Sequence, residues 1–438
     1  MIIKEKLKNM WNSLGPGLIT GASDDDPSAV VTYATAGARF GTGMVWIMLY
    51  LLPIMIIIQE MSARIGMSSS CGLAGNLKRY YSKKLLISLS VLIIFANTFN
   101  IGANVYGMAS ALELIVPHST YLLSWIIVAI ILTLVILLPY RKIVVIFKWL
   151  SFSLFAYMIA SFLVVDNWFH IVSQLFTPKI SLTEDYLLIF VAVLGTTISP
   201  YLAFWQSSEE AEERKLELGN SKNLVCKYRI FDKKELSRVM LDTKIGMFFS
   251  NFIAFFVIAL TGTLFFNAGL GNIETVEDIA DALRPLAGDY AYYLFAIGII
   301  SAGLLTIPIL AGSIAYVISE IFNWGGSLDK PFSKARGFYL VIVFSTVVGL
   351  AIPYTGISAI DALLMTAIIN GAVAPFLIAT IIHMANNPNI VGRNTNNKHS
   401  NIWGYSAFLL MVIVNLLVIA TKFPTEKATA FISNFLIP

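Results

Sequence analysis

Apolar residues recur in this chain in stretches of near-membrane length, such as 122–138 and 407–420, broken only by single polar residues. A helix needs about 20 mostly apolar residues to cross the hydrocarbon core of a bilayer. A lipid-facing segment must also satisfy its backbone internally, which leaves helices or closed barrels. The short alternating segments of a barrel are missing here. Charge supports the same reading: 13% of the 438 residues are charged and 57% are hydrophobic, against about 25% charged in a soluble domain. Too few charges remain to clothe a soluble surface, so a disordered chain, a coiled coil, a disulfide scaffold and a soluble multidomain enzyme fit poorly. The expected fold class is an all-α polytopic membrane protein.

Eleven spans are expected, at 13–39, 42–64, 85–116, 120–139, 143–165, 186–208, 239–267, 288–322, 337–354, 357–385 and 401–421. Lys and Arg fall unevenly between the connecting loops, 23 on the side of the N-terminus and 4 on the other. The positive-inside rule then sets the N-terminus in the cytoplasm, and an odd number of spans sets the C-terminus outside a cell (plasma) membrane. The N-terminus reads as lacking a cleavable signal. Cys71 and Cys226 both fall in expected cytoplasmic segments, where thiols stay reduced. The mixed-charge loop 209–238 reads as a solvated helical extension. No nucleic-acid patch, cofactor motif, catalytic constellation or zinc pattern stands out. The lipid bilayer is the expected surrounding, and no obligatory protein partner is evident.

Two spans are interrupted. The first reads Gly15-Pro16-Gly17 and then Ser23-Asp24-Asp25-Asp26-Pro27-Ser28; the sixth reads Gly195-Thr196-Thr197-Ile198-Ser199-Pro200-Tyr201. Proline lacks an amide hydrogen and pushes the residue before it out of helical geometry. Within a membrane, such breaks persist only inside protein or beside a cavity. A charge at mid-membrane costs about 2.5–3.5 kcal/mol even on the lenient insertion scale. Asp24 and Asp25 are expected to cap the second half-helix or face water. Asp26, just before the break, is suited to hold a cation. Breaks in spans one and six suggest two five-span repeats, about 13–165 and 186–385, with 401–421 added. Interrupted spans at matching places in two halves mark a transporter site. Asn100 and Asn104 share a helical face and are expected to bond between helices.

At these residues the chain resembles the Nramp family of divalent-metal transporters. The family's first-span pattern Asp-Pro-Gly-Asn is here Asp26-Pro27-Ser28-Ala29, and its sixth-span Met-Pro-His is Ser199-Pro200-Tyr201. Gln59 to Gly66 is similar to its Gln-x-x-Ser-Ala-Lys-x-Gly. The resemblance implies the inverted-repeat fold of amino-acid transporters, with a metal held by Asp26, the Thr196 carbonyl and Ser199. Asp25, Ala29 and Tyr201 are further candidates. A tenth-span amide contributes in the family; its expected position falls near Ala367, which leaves Asn370 as the candidate.

The departures carry chemistry. Ser199 replaces a soft thioether, and hard oxygen donors favour Mg2+, Ca2+ and Mn2+. Mg2+ also keeps several of its waters. The chain thus resembles the Nramp-related branch for Mg2+ and Mn2+, which are its expected substrates by alternating access. The third span holds no acid before Glu113, and Tyr201 stands where the family has histidine; a phenol titrates near 10, a poor proton carrier at neutral pH. Transport without proton coupling is expected. Two other readings stay open: a proton-coupled Mn2+/Fe2+ importer, and an ion-coupled carrier of a small organic substrate bound at half-helix N-termini.

Overall fold

The computed structural model describes residues 16–138, 154–217, 233–269, 271 and 273–422. Among them there are helices and turns but no strand. In chain order the principal helices are α1 (Pro16–Asp24), α2 (Pro27–Phe40), α3 (Trp46–Ser69), α4 (Leu73–Tyr80), α5 (Lys83–Glu113), α6 (Thr120–Leu137), α7 (Phe155–Val164), α8 (Trp168–Gln174), α9 (Glu184–Thr197), α10 (Pro200–Glu217), α11 (Lys233–Thr261), α12 (Ala291–Phe322), α13 (Arg336–Gly349), α14 (Ala359–Ala385) and α15 (Lys398–Lys422).

Nine stretches of the described chain are long and apolar enough to cross a membrane, and α7 with α8 makes a tenth if that pair, bent by 119°, is one span. Two of the expected eleven are not counted. The first span is broken as expected, into α1 and α2, each too short to count alone. The fifth, 143–165, lies partly outside the described residues; its described end is α7, after which the chain turns sharply into α8. The sixth span is broken as expected, between α9 and α10.

The helices pack as an inverted repeat. α1 lies along α11, and α10 lies along α3. Exchanging the first five spans for the second five turns each of these pairs into the other. α5 packs on α12, a pair that the same exchange leaves unchanged. Helices in lipid gain little from hydrophobicity and associate through close packing of small residues. Gly21 meets the backbone of Gly246, Gly66 meets the Ser207 carbonyl, and Gly195 meets Ala367 and Gly371 so closely that a Cβ would collide with backbone.

Two loop expectations need correction. The 209–238 segment does extend α10 to Glu217 and begins α11 at Lys233, with 218–232 outside the described residues. Its first acids are not solvated: Glu209 and Glu210 are 9% and 3% exposed. Glu209 accepts from the Tyr316 hydroxyl at 2.8 Å and Glu210 from Gln206 at 2.9 Å. α10 runs into the charged segment while still packed, so charge alone misplaced where the solvated part begins. Cys71 is in a disulfide rather than a reduced thiol; compartment says nothing about how closely two sulfurs approach. The chain's other cysteine, Cys226, lies outside the described residues.

Gly195→Val is expected to destabilise the protein by at least about 1–3 kcal/mol, the usual range for overpacking, because its side chain meets backbone on α14. Thermal unfolding in detergent should show a clear fall in midpoint; an unchanged midpoint contradicts the close α9–α14 contact.

Candidate metal site

The two breaks face each other. Ser23, at the end of α1, offers its carbonyl to the Tyr201 hydroxyl at 2.8 Å and to the Thr306 hydroxyl at 3.0 Å. Tyr33 of α2 lies 3.1 Å from Thr197 of α9, hydroxyl to hydroxyl. At the second break, Ser199 Oγ donates to the carbonyls of Gly195 (3.2 Å) and Thr196 (2.5 Å). Backbone oxygens freed by the interruptions are thus partly satisfied by hydroxyls, as a dry interior demands.

Asp26 is the N-cap of α2, with φ −72° and ψ 170°, and Pro27 occupies the first helical position. Proline is suited there because its missing N–H would be unpaired in any case. Asp26 Oδ1 accepts from the Ala29 N–H at 2.8 Å and from Ser28 Oγ at 2.6 Å. Oδ2 accepts from Asn104 Nδ2 at 3.0 Å. Asn104 Oδ1 in turn accepts from the Ser28 N–H at 3.1 Å, and a second bond of its Nδ2 goes to Asn100 Oδ1 at 2.9 Å. Among the described residues no basic side chain pairs with Asp26.

The capping role expected of Asp24 and Asp25 therefore falls to Asp26. Asp24 closes α1, and its Oδ2 accepts from Ser250 of α11 at 2.6 Å; Asp25 Oδ1 lies 3.2 Å from the same hydroxyl. One oxygen of each, Asp24 Oδ1 and Asp25 Oδ2, is buried without a partner.

The expected ligands meet around the breaks to different degrees. Thr196 and Ser199 stand together at the end of α9, with the serine proton turned onto the threonine carbonyl. Ala29 contributes only its N–H, already given to Asp26. The Tyr201 hydroxyl is committed to the Ser23 carbonyl. Asn370 of α14 has no partner for either side-chain polar atom. Asp26, Thr196, Ser199 and Asn370 are all 1–3% exposed, so the region is closed to solvent. No cluster of three His, Cys, Asp or Glu side chains suited to a metal occurs among the described residues.

The model of the family described as natural resistance-associated macrophage protein-like matches residues 17–421. The chain belongs to the Nramp family. It is accordingly a multi-pass membrane protein. It is 23% identical to the divalent metal cation transporter MntH of Clostridium acetobutylicum over 96% of this chain and 93% of that one. It is also 23% identical to the MntH of Staphylococcus saprophyticus, over 95% and 93%. Among solved structures it resembles the Eremococcus coleocola manganese transporter, with a TM-score of 0.73, 18% identity, and coverage of 97% and 91%. A more distant likeness is to MhsT in complex with L-phenylalanine, with a TM-score of 0.61, 14% identity, and coverage of 94% and 98%. These likenesses show the fold, including its inverted repeat.

Sequence reasoning missed Ser28 and Ser250 as carboxylate partners. It placed Asn100 and Asn104 in helix contacts without seeing that Asn104 reaches Asp26. The available signal was the asparagine pair four residues apart in the span facing the break.

Asn104→Leu is expected to lower stability by about 1–3 kcal/mol, because it strands a carboxylate oxygen and the Ser28 N–H in a dry interior. Thermal unfolding of the purified protein checks this, and a midpoint equal to wild type contradicts the assigned bonds.

Proposed function

We propose that this protein carries hard divalent cations, Mg2+ and Mn2+, across the cell membrane by alternating access, without moving protons. The observation that carries the reading is Asp26: a carboxylate buried at a helix break, with no basic partner among the described residues, where the second break, which carries Thr196 and Ser199, is tied to the first through Tyr201–Ser23 and Thr197–Tyr33. Softer transition metals favour a sulfur ligand, whereas these oxygen donors suit hard ions such as Mg2+ and Mn2+. The names of the MntH relatives, divalent metal cation transporters, agree with the ion class.

The geometry of Asp26 bears on which ion. A carboxylate has about four lone-pair positions, and three hydrogen-bond donors already occupy Asp26. It can meet a cation through one oxygen while the ion keeps part of its water. Mg2+, which dehydrates reluctantly and binds through one or two carboxylates, fits that arrangement. Ser199 can accept through its free lone pairs, its proton being turned toward the Gly195 and Thr196 carbonyls.

Release to either side requires the closed region to open. On the side of the α1 start, the Gly17 N–H donates to Asp242 Oδ2 at 2.8 Å and Thr20 Oγ1 to Gln206 Oε1 at 2.5 Å. Those bonds hold α1 against α11 and α10, and separating them opens a path to Asp26. In the proposed orientation that side is cytoplasmic, with the N-terminus inside and the C-terminus outside. An inside-negative potential drives entry, worth about 4.6 kcal/mol per 100 mV for a double charge, twice the single-charge value.

Amides at Asn100 and Asn104 cannot relay a proton as carboxylates do, and the Tyr201 phenol is held as a structural tie. These features support uncoupled transport. The competing reading, a proton-coupled Mn2+/Fe2+ importer, draws on Asp24 and Asp25, each with one unpaired oxygen beside Ser250.

Proteoliposomes loaded with metal-sensitive and pH-sensitive dyes separate the two. The expected result is Mg2+ and Mn2+ entry with no accompanying acidification, abolished by Asp26→Ala in protein that still elutes as a folded species. Acidification that tracks metal entry favours the coupled importer. Normal entry through Asp26→Ala removes the basis of the site.

A further inference from the structure

Helix α7 ends at Val164, and the chain then turns by 119° into α8, Trp168–Gln174. A helix turned so far from a membrane span cannot carry on outward and lies back toward the bilayer. The turn falls at the end of the bundle where α2 and α11 also finish. There His170, Ile171 and Gln174 line a cavity of about 510 Å3 with Gly41, just past α2, and Gly262, just past α11.

The sides of α8 differ in kind. Ile171 and Gln174 are buried. The Phe176 N–H, donating to the Ser173 carbonyl at 3.2 Å, carries the turn on past Gln174. With 3.6 residues per turn, Phe169, Val172 and Phe176 form one stripe on the side opposite Gln174. That stripe points away from the protein: Phe169 is 86% exposed, Phe176 66%, and Val172 is exposed as well. Beside it runs a polar stripe of His170, Ser173 and Thr177. Ser173 Oγ donates to the His170 carbonyl at 2.6 Å and Thr177 Oγ1 to the Ser173 carbonyl at 3.2 Å. No Lys, Arg, Asp or Glu falls between Asn167 and Thr177.

The apolar stripe is continuous with the surface that the spans present to lipid. Phe162 and Leu163 at the end of α7 are exposed, as are Phe248 and Phe252 of α11. Ring contacts join these helices to the start of α8: Phe248 to Phe252 at 5.7 Å, Phe252 to Phe256 at 4.8 Å, Phe256 to Trp168 at 5.6 Å and Trp168 to Phe162 at 4.8 Å. Aromatic side chains gather where a bilayer meets water. A short helix with one apolar and one polar side at that boundary lies in the interface, its apolar side in the lipid.

We propose that α8 is an interfacial helix, seated in lipid at the headgroup boundary through Phe169, Val172 and Phe176, with Ser173 and Thr177 turned to water. Lipid is the occupant because the stripe continues the lipid-facing sides of α7 and α11, and because α8 is bent back toward the bilayer. The helix then stands between the membrane and the cavity at the end of α2, the half-helix that Asp26 caps. This holds whichever ion the protein carries.

The test places a nitrobenzoxadiazole fluorophore in turn at Phe169→Cys, Val172→Cys, Ser173→Cys and Thr177→Cys of the full-length protein in liposomes, with the labelling of the unsubstituted protein subtracted. All four positions are exposed, so the substitutions leave the packed side of α8 intact. Val172→Cys also keeps both phenylalanines. Two quenchers are compared: lipid spin-labelled near the headgroup, and iodide in the water on both sides. Labels at Phe169 and Val172 are expected to lose most of their emission to the lipid quencher and little to iodide. Labels at Ser173 and Thr177 are expected to show the reverse. Iodide quenching at Phe169 and Val172 as strong as at Ser173 and Thr177 overturns the proposal. So does shielding at Phe169 and Val172 from both quenchers that is lost when the protein is diluted in lipid, since a second copy of the chain would then be what covers the stripe.

Discussion

A helix can be interrupted inside a bilayer only if each backbone group freed by the break finds a partner within the protein. Much of the structure around the two breaks answers that requirement. The Ser23 carbonyl takes hydroxyls from Tyr201 and Thr306, on two other spans. The carbonyls at the end of α9 take the Ser199 hydroxyl. The start of α2 is capped by the Asp26 carboxylate. These ties fix the breaks opposite one another and bring α1, α9, α10 and α12 to one point. They also leave there a carboxylate whose charge no neighbouring cation offsets among the described residues.

The same interactions set the chemistry available. Asp26 is bound to the Ala29 N–H and Ser28 on one oxygen and to Asn104 on the other, so it is oriented before any ion arrives. Preorganisation of this kind lowers the cost of binding, and it also limits how fully the carboxylate can wrap an ion. Neutral amides and hydroxyls make up the rest of the wall. On the proposed reading, a hard, partly hydrated divalent cation is the solute that matches one charge, several neutral oxygens and no sulfur.

Features that violate the apolar pattern were legible in the sequence. Proline within a span marks a break whatever surrounds it, so Pro27 and Pro200 located both interruptions. Three aspartates in an apolar run stand out for the same reason. Partnership was much less legible. An asparagine pair four apart reads alike whether it bonds to a helix or to a carboxylate, so the Asn104 contact with Asp26 needed coordinates. Nothing local to Ser250 tied it to Asp24, 226 positions away in the chain. The roles within Asp24–Asp26 were shifted, because the cap position depends on which residue adopts extended geometry at the break. Burial of Glu209 and Glu210 was missed since a run of charges looks solvated even when a helix carries its beginning into the packed bundle.

The central claim is that Asp26 holds the cation. Its most direct test is calorimetric titration of Mn2+ into the purified full-length protein and into Asp26→Asn, which keeps the side chain's size while removing its charge. The account predicts saturable binding by wild type, weakened in the variant by about a hundredfold or more, equivalent to about 2.7 kcal/mol. Indistinguishable isotherms for the two proteins would contradict it.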